Sequence, residues 1–582
     1  MLQGNDSFDE VEFLQTVPGA GAEVHHYDSD DSFNDEVRPY LLNDSPDFEA
    51  LGQELRDRVY KTLKEKFGFN SFRHRQKTAI TAILLGYDAF VLMPTGAGKS
   101  LCYQLPAVLS PGVTVVVSPL KSLIEDQRVK MQDLGITCEA LTSDLSDDQQ
   151  MSIYNRLMHS PPDIKLLYVT PEKISLSSKL ANVFVSLHRQ NFLARFVIDE
   201  AHCVSQWGHD FRPDYTKLKS LRQEYAHPKV PIMALTATAT PKIVADTRDH
   251  LGIVDSKLFI SSFVRSNLTY EVVPKMAKTF ENVINRMKQL YPGKAGIVYC
   301  LSRNDCEKAC SVVNKAGILA DVYHAGLSDV KRKQVQHRWL RNSIHVICAT
   351  IAFGMGIDKP DVRYVIHTSI PKSIEGYYQE TGRAGRDGNP SYCLLLYSYN
   401  DVLRLRKFIE DEDNRAAASV RSMHTQNIYQ VVTYCENVSV CRRKILVEHF
   451  GEVYDAQMCQ KSGTPCDVCQ RQKHYAGAVK LFDVSDEAFM LISAMTRMKN
   501  TTLRYLAKLF RGDLDKKTSE KASRLGHTAF PIYGRGVGMS EQDSLRFLRK
   551  MVGNVSSIEP TSLTFRSFHK LLYFSEGLLT VP

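Results

Sequence analysis

Lys99 and the pair Asp199-Glu200 are placed by type and spacing to handle a polyphosphate. Thr95-Gly-Ala-Gly-Lys-Ser100 follows an apolar β-branched run at 89–93 and precedes an apolar helical run. A glycine-rich turn between a strand and a helix N-terminus leaves backbone N–H groups pointing at one spot, where phosphate oxygens bind. Gly96 and Gly98 let that backbone close around the oxygens, Lys99 neutralises the β- and γ-phosphates, and Ser100 offers a hydroxyl to Mg²⁺. Asp199-Glu200-Ala-His202 supplies the other half, directly after the apolar run Ala194-Arg-Phe-Val-Ile198. Asp199, at a strand end, is placed to hold Mg²⁺, and Glu200 to orient and deprotonate the attacking water. Phosphoryl transfer asks for metal, positioned water and charge stabilisation rather than covalent help. Either motif alone is also met as a chance turn. Together they predict an ATP hydrolase.

The remaining positive charge is expected from farther along the chain. Gln379, Arg383 and Arg386 stand at i, i+4 and i+7, which predicts one helix face. Gly382 and Gly385 lie between them and cost a helix about 1 kcal/mol each, a cost that makes sense if the backbone must approach something closely. Arg386 is assigned as an arginine finger, Arg383 as a γ-phosphate contact, and Gln379 as a third group lining the ATP site. A second chemistry lies in the cysteines. Of thirteen, five crowd into 435–469, and several others sit inside apolar runs as reduced core thiols. Cys466-x-x-Cys469 is a thiolate pair suited to tetrahedral Zn²⁺. Cys459, Cys441 and Cys435 compete to complete the set. On one helix the six residues from Cys435 to Cys441 would turn the two side chains to different faces.

The elements that must hold these groups are legible as rhythm. Short apolar runs at 89–93, 113–118, 165–169, 196–199 and 232–235 alternate with helical segments, and the same rhythm returns at 296–300, 322–323, 345–348, 364–367 and 393–397. Continuous apolar strands alternating with helices imply parallel sheets covered on both faces. The expected fold class is therefore α/β, with two tandem parallel-sheet lobes at 51–270 and 271–410, a helical cysteine-bearing subdomain at 411–482 and a last domain at 483–582. Residues 1–50 hold thirteen Asp/Glu against one Arg, a net of −12, which leaves +20 on the rest of a chain whose total is +8. The acidic segment reads as a disordered, solvated tail, with docking of a protein partner as its alternative role. The basic remainder suits a polyanion. No run of about 18 apolar residues is present, so no membrane partner is expected, and the acidic start lacks a secretory leader.

These residues resemble the RecQ family of superfamily 2 DNA helicases, over roughly four-fifths of the chain. Leu63-Lys-Glu-Lys-Phe-Gly68 with Phe72-Arg73-His-Arg-Gln76 is similar to the family's motif 0. Ser118-Pro-Leu-Lys-Ser-Leu-Ile-Glu-Asp-Gln127 resembles motif Ia, Leu235-Thr-Ala-Thr-Ala239 motif III, 349–358 motif V and 379–388 motif VI, while Tyr323-His-Ala-Gly-Leu327 falls where the family places another shared block. Residue 93, six before Lys99, is Met where the general phosphate-loop pattern has Gly; helicase-type loops share that departure. The wording of 197–211 is close to the Bloom syndrome helicase subgroup.

The resemblance implies two RecA-like lobes, a zinc-binding subdomain and a winged-helix domain. It implies Gln76 as the reader of adenine, with Arg73 stacking on the base or bracing its loop, and it selects Cys441, Cys459, Cys466 and Cys469 for zinc, leaving Cys435 out. Trp207, His209, Phe211 and Arg212, directly after Glu200, interleave aromatics with cations as base stacking requires, which couples strand binding to hydrolysis. Arg442, Arg443 and Lys444 are candidates to track backbone phosphate, and Lys516, Lys517, Lys521, Arg524 and Arg535 supply basic density for duplex DNA, with 556–574 as wing strands. The expected activity is ATP- and Mg²⁺-dependent 3′–5′ unwinding of single-stranded and forked DNA in the nucleus, for recombination, repair and replication-fork processing. An RNA helicase, a double-strand translocase and a non-enzymatic DNA-binding scaffold are the alternatives. The family's additional C-terminal helical domain is not expected here, and weaker recognition of branched substrates is expected in its absence.

Overall fold

The computed structural model describes residues 46–208, 211–354, 359–412, 418–474, 480–498, 501–555 and 578–581. The acidic segment through residue 45, His209, the 355–358 part of the motif V-like run and the expected wing at 556–574 lie outside the described residues. The chain divides into two compact units. One holds the described residues up to Asp401 together with Leu446–Tyr454, and the other holds Val402–Ile445 and the residues from Asp455 onward.

The first unit contains both α/β lobes. Strands β1 (Ala89–Leu92), β2 (Val113–Val117), β3 (Cys138–Leu141), β4 (Leu166–Val169), β5 (Leu193–Ile198), β6 (Ile232–Thr236) and β7 (Lys257–Ile260) form a sheet in the order β3-β4-β2-β5-β6-β1-β7. Every pairing in it is parallel. Every residue of β1, β2, β4 and β6 is buried, so helices cover both faces and the sequence could carry continuous Val, Leu and Ile. The second lobe repeats the plan with β8 (Leu268–Pro274), β9 (Ala295–Tyr299), β10 (Ala320–Tyr323), β11 (Val346–Ala349), β12 (Val362–His367) and β13 (Ser391–Tyr397), in the order β10-β11-β9-β12-β13-β8. All its pairings are parallel as well. These are the two tandem parallel-sheet lobes that the alternating pattern predicts, and that the family resemblance describes as RecA-like. The second one begins at β8, which pairs along its whole length with β13.

Residues just before 51 are already folded. Phe48–Leu51 forms a short 3-10 turn whose N-cap, Asp47, accepts from the Glu49 amide at 2.9 Å. Phe48 packs edge-on against Tyr60 with ring centroids 5.7 Å apart, and the Lys77 ammonium sits 4.1 Å from the Phe48 ring centre. Residues 47–50, expected within the tail, thus belong to packed chain, because Phe48 finds partners.

The second unit is helical. Ala418–Glu436, Ala456–Lys461 and Asp467–His474 surround the cysteines, and Ser485–Arg497, Leu503–Arg511, Lys516–Arg524 and Glu541–Val555 follow. Leu491, Leu506, Leu509, Phe510, Ile532 and Phe547 form the core of this last group, with the rings of Phe510 and Phe547 stacked at 5.4 Å. A two-stranded antiparallel sheet pairs β14 (Lys480–Asp483) with β15 (Leu578–Val581). Lys516, Lys517, Lys521, Arg524 and Arg535 are all exposed.

Candidate nucleotide site and cysteine centre

The site lies at the C-terminal edge of the first sheet. Leu92 is in register with Thr236, and Ile198 with Ala234. Pairing continues one residue further, with Met93 N–H donating to the Thr236 carbonyl (3.2 Å) and Asp199 N–H to that of Val117 (2.9 Å). The phosphate-type loop after β1, the acidic pair after β5 and the Thr-Ala-Thr run after β6 thus emerge level with one another. The sheet neighbours of β1 are the late strands β6 and β7. That change of order opens the crevice in which α/β sheets bind ligands.

Gly98 in the loop has φ +81°, and a Cβ there would lie 2.5 Å from Gln76 Nε2. Only glycine admits both. Gln76 is buried, donates to the carbonyls of Ala97 (3.3 Å) and Gly98 (3.0 Å), and accepts from the Arg73 amide (2.8 Å). Its amide braces the loop, so reading adenine with it requires an exchange of those partners. The Arg73 side chain is exposed. Lys99 Nζ donates to the Met93 carbonyl at 3.0 Å. Burial lowers the Lys99 pKa, opposed by Glu200 and Asp199 and reinforced by Arg386. Burial also pushes the Asp199 carboxyl up to about 7, Glu200 adding to the effect and Lys99 opposing it. Two adjoining recessed carboxylates, one of them holding its proton to near neutrality, are donor chemistry that suits a hard divalent cation.

Glu200 has φ +49°, in the left-handed region. A non-glycine residue there is strained, and such strain gathers at sites where the backbone must aim a side chain. His202 secures it. Its Nδ1 lies 3.4 Å from Glu200 Oε2 and 2.8 Å from Thr236 Oγ1. Thr236 Oγ1 donates to the Thr238 carbonyl (3.3 Å) and accepts from the Thr238 amide (3.2 Å). Both His202 contacts therefore call for a proton on Nδ1. These contacts run from the acidic pair to the end of β6. Neither segment's sequence marks that connection.

The second lobe reaches this crevice, though not by the helix face that the i, i+4, i+7 spacing predicts. The helix Ile374–Thr381 ends at Gly382, so Gln379 alone is helical, while Arg383 and Arg386 occupy the turns that follow. The backbone tightens to i→i−3 bonds at Arg383 and Ala384, which donate to the carbonyls of Glu380 (3.3 Å) and Thr381 (3.0 Å), and Gly385, with φ +57°, then turns the chain before Arg386. The turn still delivers Arg386. A Cβ built on Gly96 would meet Arg386 Cγ at 3.2 Å, and one on Gly382 would meet Thr95 Cβ at 3.6 Å. Arg383 is buried beside Tyr299; burial raises the Tyr299 pKa, and Arg383 pulls it down. Gln379 is half-buried. Arg265 is the residue that motif reading missed. Its guanidinium donates to the Thr95 carbonyl at 3.3 Å and to the arginine turn itself. Its signal in the sequence is slight, a single cation in the link after β7.

Beyond Glu200, Trp207 is 45% exposed, which sets aside a core-filling role for it. Lys242 Nζ stands 3.3 Å from its ring centre. Phe211 is half-buried, and Arg212 donates to the Pro119 carbonyl at 2.9 Å, tying this loop to the motif Ia-like segment. His209 lies outside the described residues.

In the second unit the four expected sulfurs converge. Cys441, Cys459, Cys466 and Cys469 are all buried, with sulfurs within 4.8 Å of one another and Cys466 Sγ 3.9 Å from Cys441 Sγ. Tetrahedral zinc with bonds near 2.3 Å spaces its sulfurs about 3.8 Å apart. The backbone N–H groups of Arg442 and Cys469 donate to Cys466 Sγ, and that of Cys466 to Cys459 Sγ. These donors suit thiolates, and the neighbouring thiols hold Cys466 well below its usual value. The four residues fit a closed structural zinc site. Cys435 stays apart, in the last turn of Ala418–Glu436, while Cys441 stands beyond that helix rather than on it. The expectation that Arg442 and Arg443 track phosphate is overturned, since both are fully buried. Arg442 forms a two-pronged pair with Asp467 (2.9 and 3.0 Å), and Arg443 donates to the Thr464 carbonyl (3.1 Å). A buried guanidinium needs such partners, and the cysteine loop supplies them. Lys444 is half-buried.

Four family descriptions match successive stretches of the chain: DEAD/DEAH box helicase at 73–247, helicase conserved C-terminal domain at 278–388, RecQ zinc-binding at 399–470 and RQC domain at 478–555. Over 564 residues the chain is 62% identical to the RecQ-like DNA helicase blm-1 of Caenorhabditis elegans, covering 94% of this chain and 57% of that one. It is 44% identical over 560 residues to the RecQ-like DNA helicase BLM of Xenopus laevis, covering 91% and 40%. A Q1-type DNA helicase of Caenorhabditis briggsae is 43% identical over 440 residues, covering 75% and 69%. The chain thus spans little more than half of the first of these relatives and less than half of the second. Among the described residues no helix is long and apolar enough to cross a membrane.

Proposed function

The chain belongs to the RecQ family of DNA helicases, and on that premise we propose that it is an ATP- and Mg²⁺-dependent helicase moving 3′ to 5′ along single-stranded DNA to open duplex and forked substrates. The observation that carries this reading is Arg386 of the second lobe lying against Gly96 of the first. Phosphate loop, acidic pair and a cation from the opposite lobe then share one crevice, and hydrolysis answers to the relation between the lobes. In this reading Lys99 holds the β- and γ-phosphates, with Thr95, Gly96 and Gly98 shaping the cradle. Ser100 and Asp199 hold the Mg²⁺, which neutralises phosphate charge when bound. Glu200 orients and deprotonates the attacking water, kept in place by His202. Arg383 and Gln379 line the γ-phosphate side, and Arg73 and Gln76 the base side. The polarity, the nuclear site of action, the role in recombination, repair and fork processing, and a protein partner for the acidic segment belong to the same proposal, supported by the likeness to the RecQ-like helicases named above.

The test is nucleotide turnover with and without oligonucleotides, followed by unwinding of forks whose loading strand is DNA or RNA. Turnover stimulated by DNA, abolished in Lys99→Ala, with unwinding only from a DNA loading strand, is the expected result. Unwinding that prefers RNA would move the protein to another helicase class, and turnover unaffected by Lys99→Ala would remove the site from this crevice.

Trp207 is assigned to the DNA strand. Its exposed ring offers a face for base stacking, worth roughly 1–3 kcal/mol, against about 0.5–1 kcal/mol for an exposed cation–π contact such as that with Lys242. A base therefore competes well for that ring. Trp207→Ala is expected to lose most of the stimulation by single-stranded DNA, with the DNA-free rate of the same protein as reference. Stimulation equal to that of the unaltered protein would take this loop out of the DNA path.

A further inference from the structure

The turn that carries Arg383 and Arg386 is tied to the phosphate loop by a residue to which the catalytic reading gives no part. Arg265 stands in the link between β7 and β8. One terminal nitrogen of its guanidinium donates to the carbonyls of Thr95 and Gly382, both at 3.3 Å. The other donates to those of Ala384 at 2.9 Å and Gly385 at 3.0 Å. Three of these acceptors belong to the second lobe and one to the first. With Arg265 kept on the second lobe, a parting of the lobes would cost it only the bond to Thr95. Asn267 adds to the grip, donating to the carbonyls of Gly385 (2.8 Å) and Asn389 (3.0 Å). A Cβ on Gly385 would lie 2.4 Å from Asn267 Nδ2, so glycine is needed there for closeness as well as for its φ.

The link is itself held from its other side by Leu446–Tyr454. Glu452 accepts from the Ser262 hydroxyl and from the Phe263 amide, each at 2.6 Å, one on either carboxylate oxygen. Phe263 stacks on Phe450 with centroids 4.5 Å apart. Phe450 also meets Tyr378 edge-on at 4.9 Å, and the Tyr378 hydroxyl donates to the Phe263 carbonyl at 2.8 Å. His449 Nε2 lies 2.7 Å from Glu375 Oε1 on the same helix as Tyr378. One short segment thus grips both the link bearing Arg265 and the helix that leads into the arginine turn.

We infer that Arg265 is a positioning residue that sets Arg386 over the phosphate loop, and that Glu452 with Phe450 latches the link so that Arg265 can do so. The inference rests on the proposed hydrolysis of ATP at this crevice. It differs from a general bracing role because Arg265 acts through Arg386.

The experiment uses the whole chain with saturating single-stranded oligonucleotide. Arg265→Ala is expected to lower kcat about 10- to 100-fold, the scale of a small misplacement of a catalytic group, with KM for ATP changed by less than about threefold. Arg265→Lys should not rescue, since a point charge cannot reach four carbonyls at once. Glu452→Gln should lower kcat in the same direction, because its NH₂ arm can only donate, so one of the two bonds is lost or reversed. In an Arg386→Ala background, Arg265→Ala should cost less than about twofold more, the sign of two residues acting through one contact. Full additivity, or a raised KM with kcat kept, overturns the inference. If the unaltered protein shows no DNA-stimulated turnover, the hydrolysis reading fails separately, and amide hydrogen exchange with a non-hydrolysable ATP analogue bound still decides the clasp. Exchange across 382–385 should speed up roughly tenfold in Arg265→Ala and also rise in Glu452→Gln. Unchanged protection there overturns the inference regardless of activity.

Discussion

Arg386→Ala is expected to cut DNA-stimulated ATP turnover by about 10³–10⁵-fold, the range an arginine finger supplies, while KM for ATP moves little. The argument runs from charge. Lys99 already has acidic neighbours in Asp199 and Glu200, and burial lowers its pKa. The charge that develops on the γ-phosphoryl oxygens during transfer thus needs a further cation, and one available from the opposite lobe ties the rate to lobe closure. Arg386 has the required place, its aliphatic stem against Gly96, and its charge is felt at Lys99. Because the guanidinium acts on charge that appears only in the transition state, its loss belongs in kcat. Arg386→Lys should recover little, for an ammonium lacks the planar fork that spans two phosphate oxygens. Steady-state turnover at saturating oligonucleotide reads the effect directly. A loss of less than about tenfold would leave Arg386 a bystander, far below the finger's range, and Arg383 would inherit the role.

What the sequence displayed of this arrangement, and what it concealed, divides along a physical line. The loop at 95–100 and the Cys466-Cys469 pair are local: a few consecutive residues determine both the backbone path and the chemistry, and spacing reports it. The central strands are local too, because burial on both faces leaves an unbroken apolar run. The edges were harder. β3 and β7 close the first sheet, and β8 and β10 the second. Partly exposed residues interrupt the apolar run in each of them, and the alternation shows only a fragment of β10 and none of the other three. Side-chain partners were harder still. Arg442 and Arg443 look like surface charge until Asp467 and Thr464, more than twenty residues on, fold over them. The spacing of Gln379, Arg383 and Arg386 suits a helix, but the helix ends before Arg383 and Gly385 then turns the chain. Arg265 belongs to no motif, because its four acceptors are backbone carbonyls, which any sequence carries.

The cysteine centre makes the other large prediction. Cys466→Ser is expected to abolish zinc binding, from about one ion per chain to none, and with it the folded state of the 441–474 stretch. Structural zinc in small domains contributes on the order of 10–16 kcal/mol at neutral pH, as much as a typical domain's whole stability of roughly 5–15 kcal/mol. Apart from Ala418–Glu436, the helices around the cysteines (Arg442–His449, Ala456–Lys461 and Asp467–His474) are only six to eight residues long, too short to persist alone. Cys466 is the most committed of the four, since its sulfur accepts from two backbone amides and lies 3.9 Å from that of Cys441. Without the ion the Arg442–Asp467 pair loses the frame that aligns it. Zinc content together with limited proteolysis between 437 and 474 reads the outcome, and Cys435→Ser serves as the control that keeps its zinc. Stoichiometric zinc in Cys466→Ser, or its loss in Cys435→Ser, would overturn the ligand set. Leu446–Tyr454 is strung in the chain between Cys441 and Cys459. Freeing that loop should therefore also slacken the Glu452 latch, and kcat for ATP should fall in Cys466→Ser in the same direction as in Glu452→Gln.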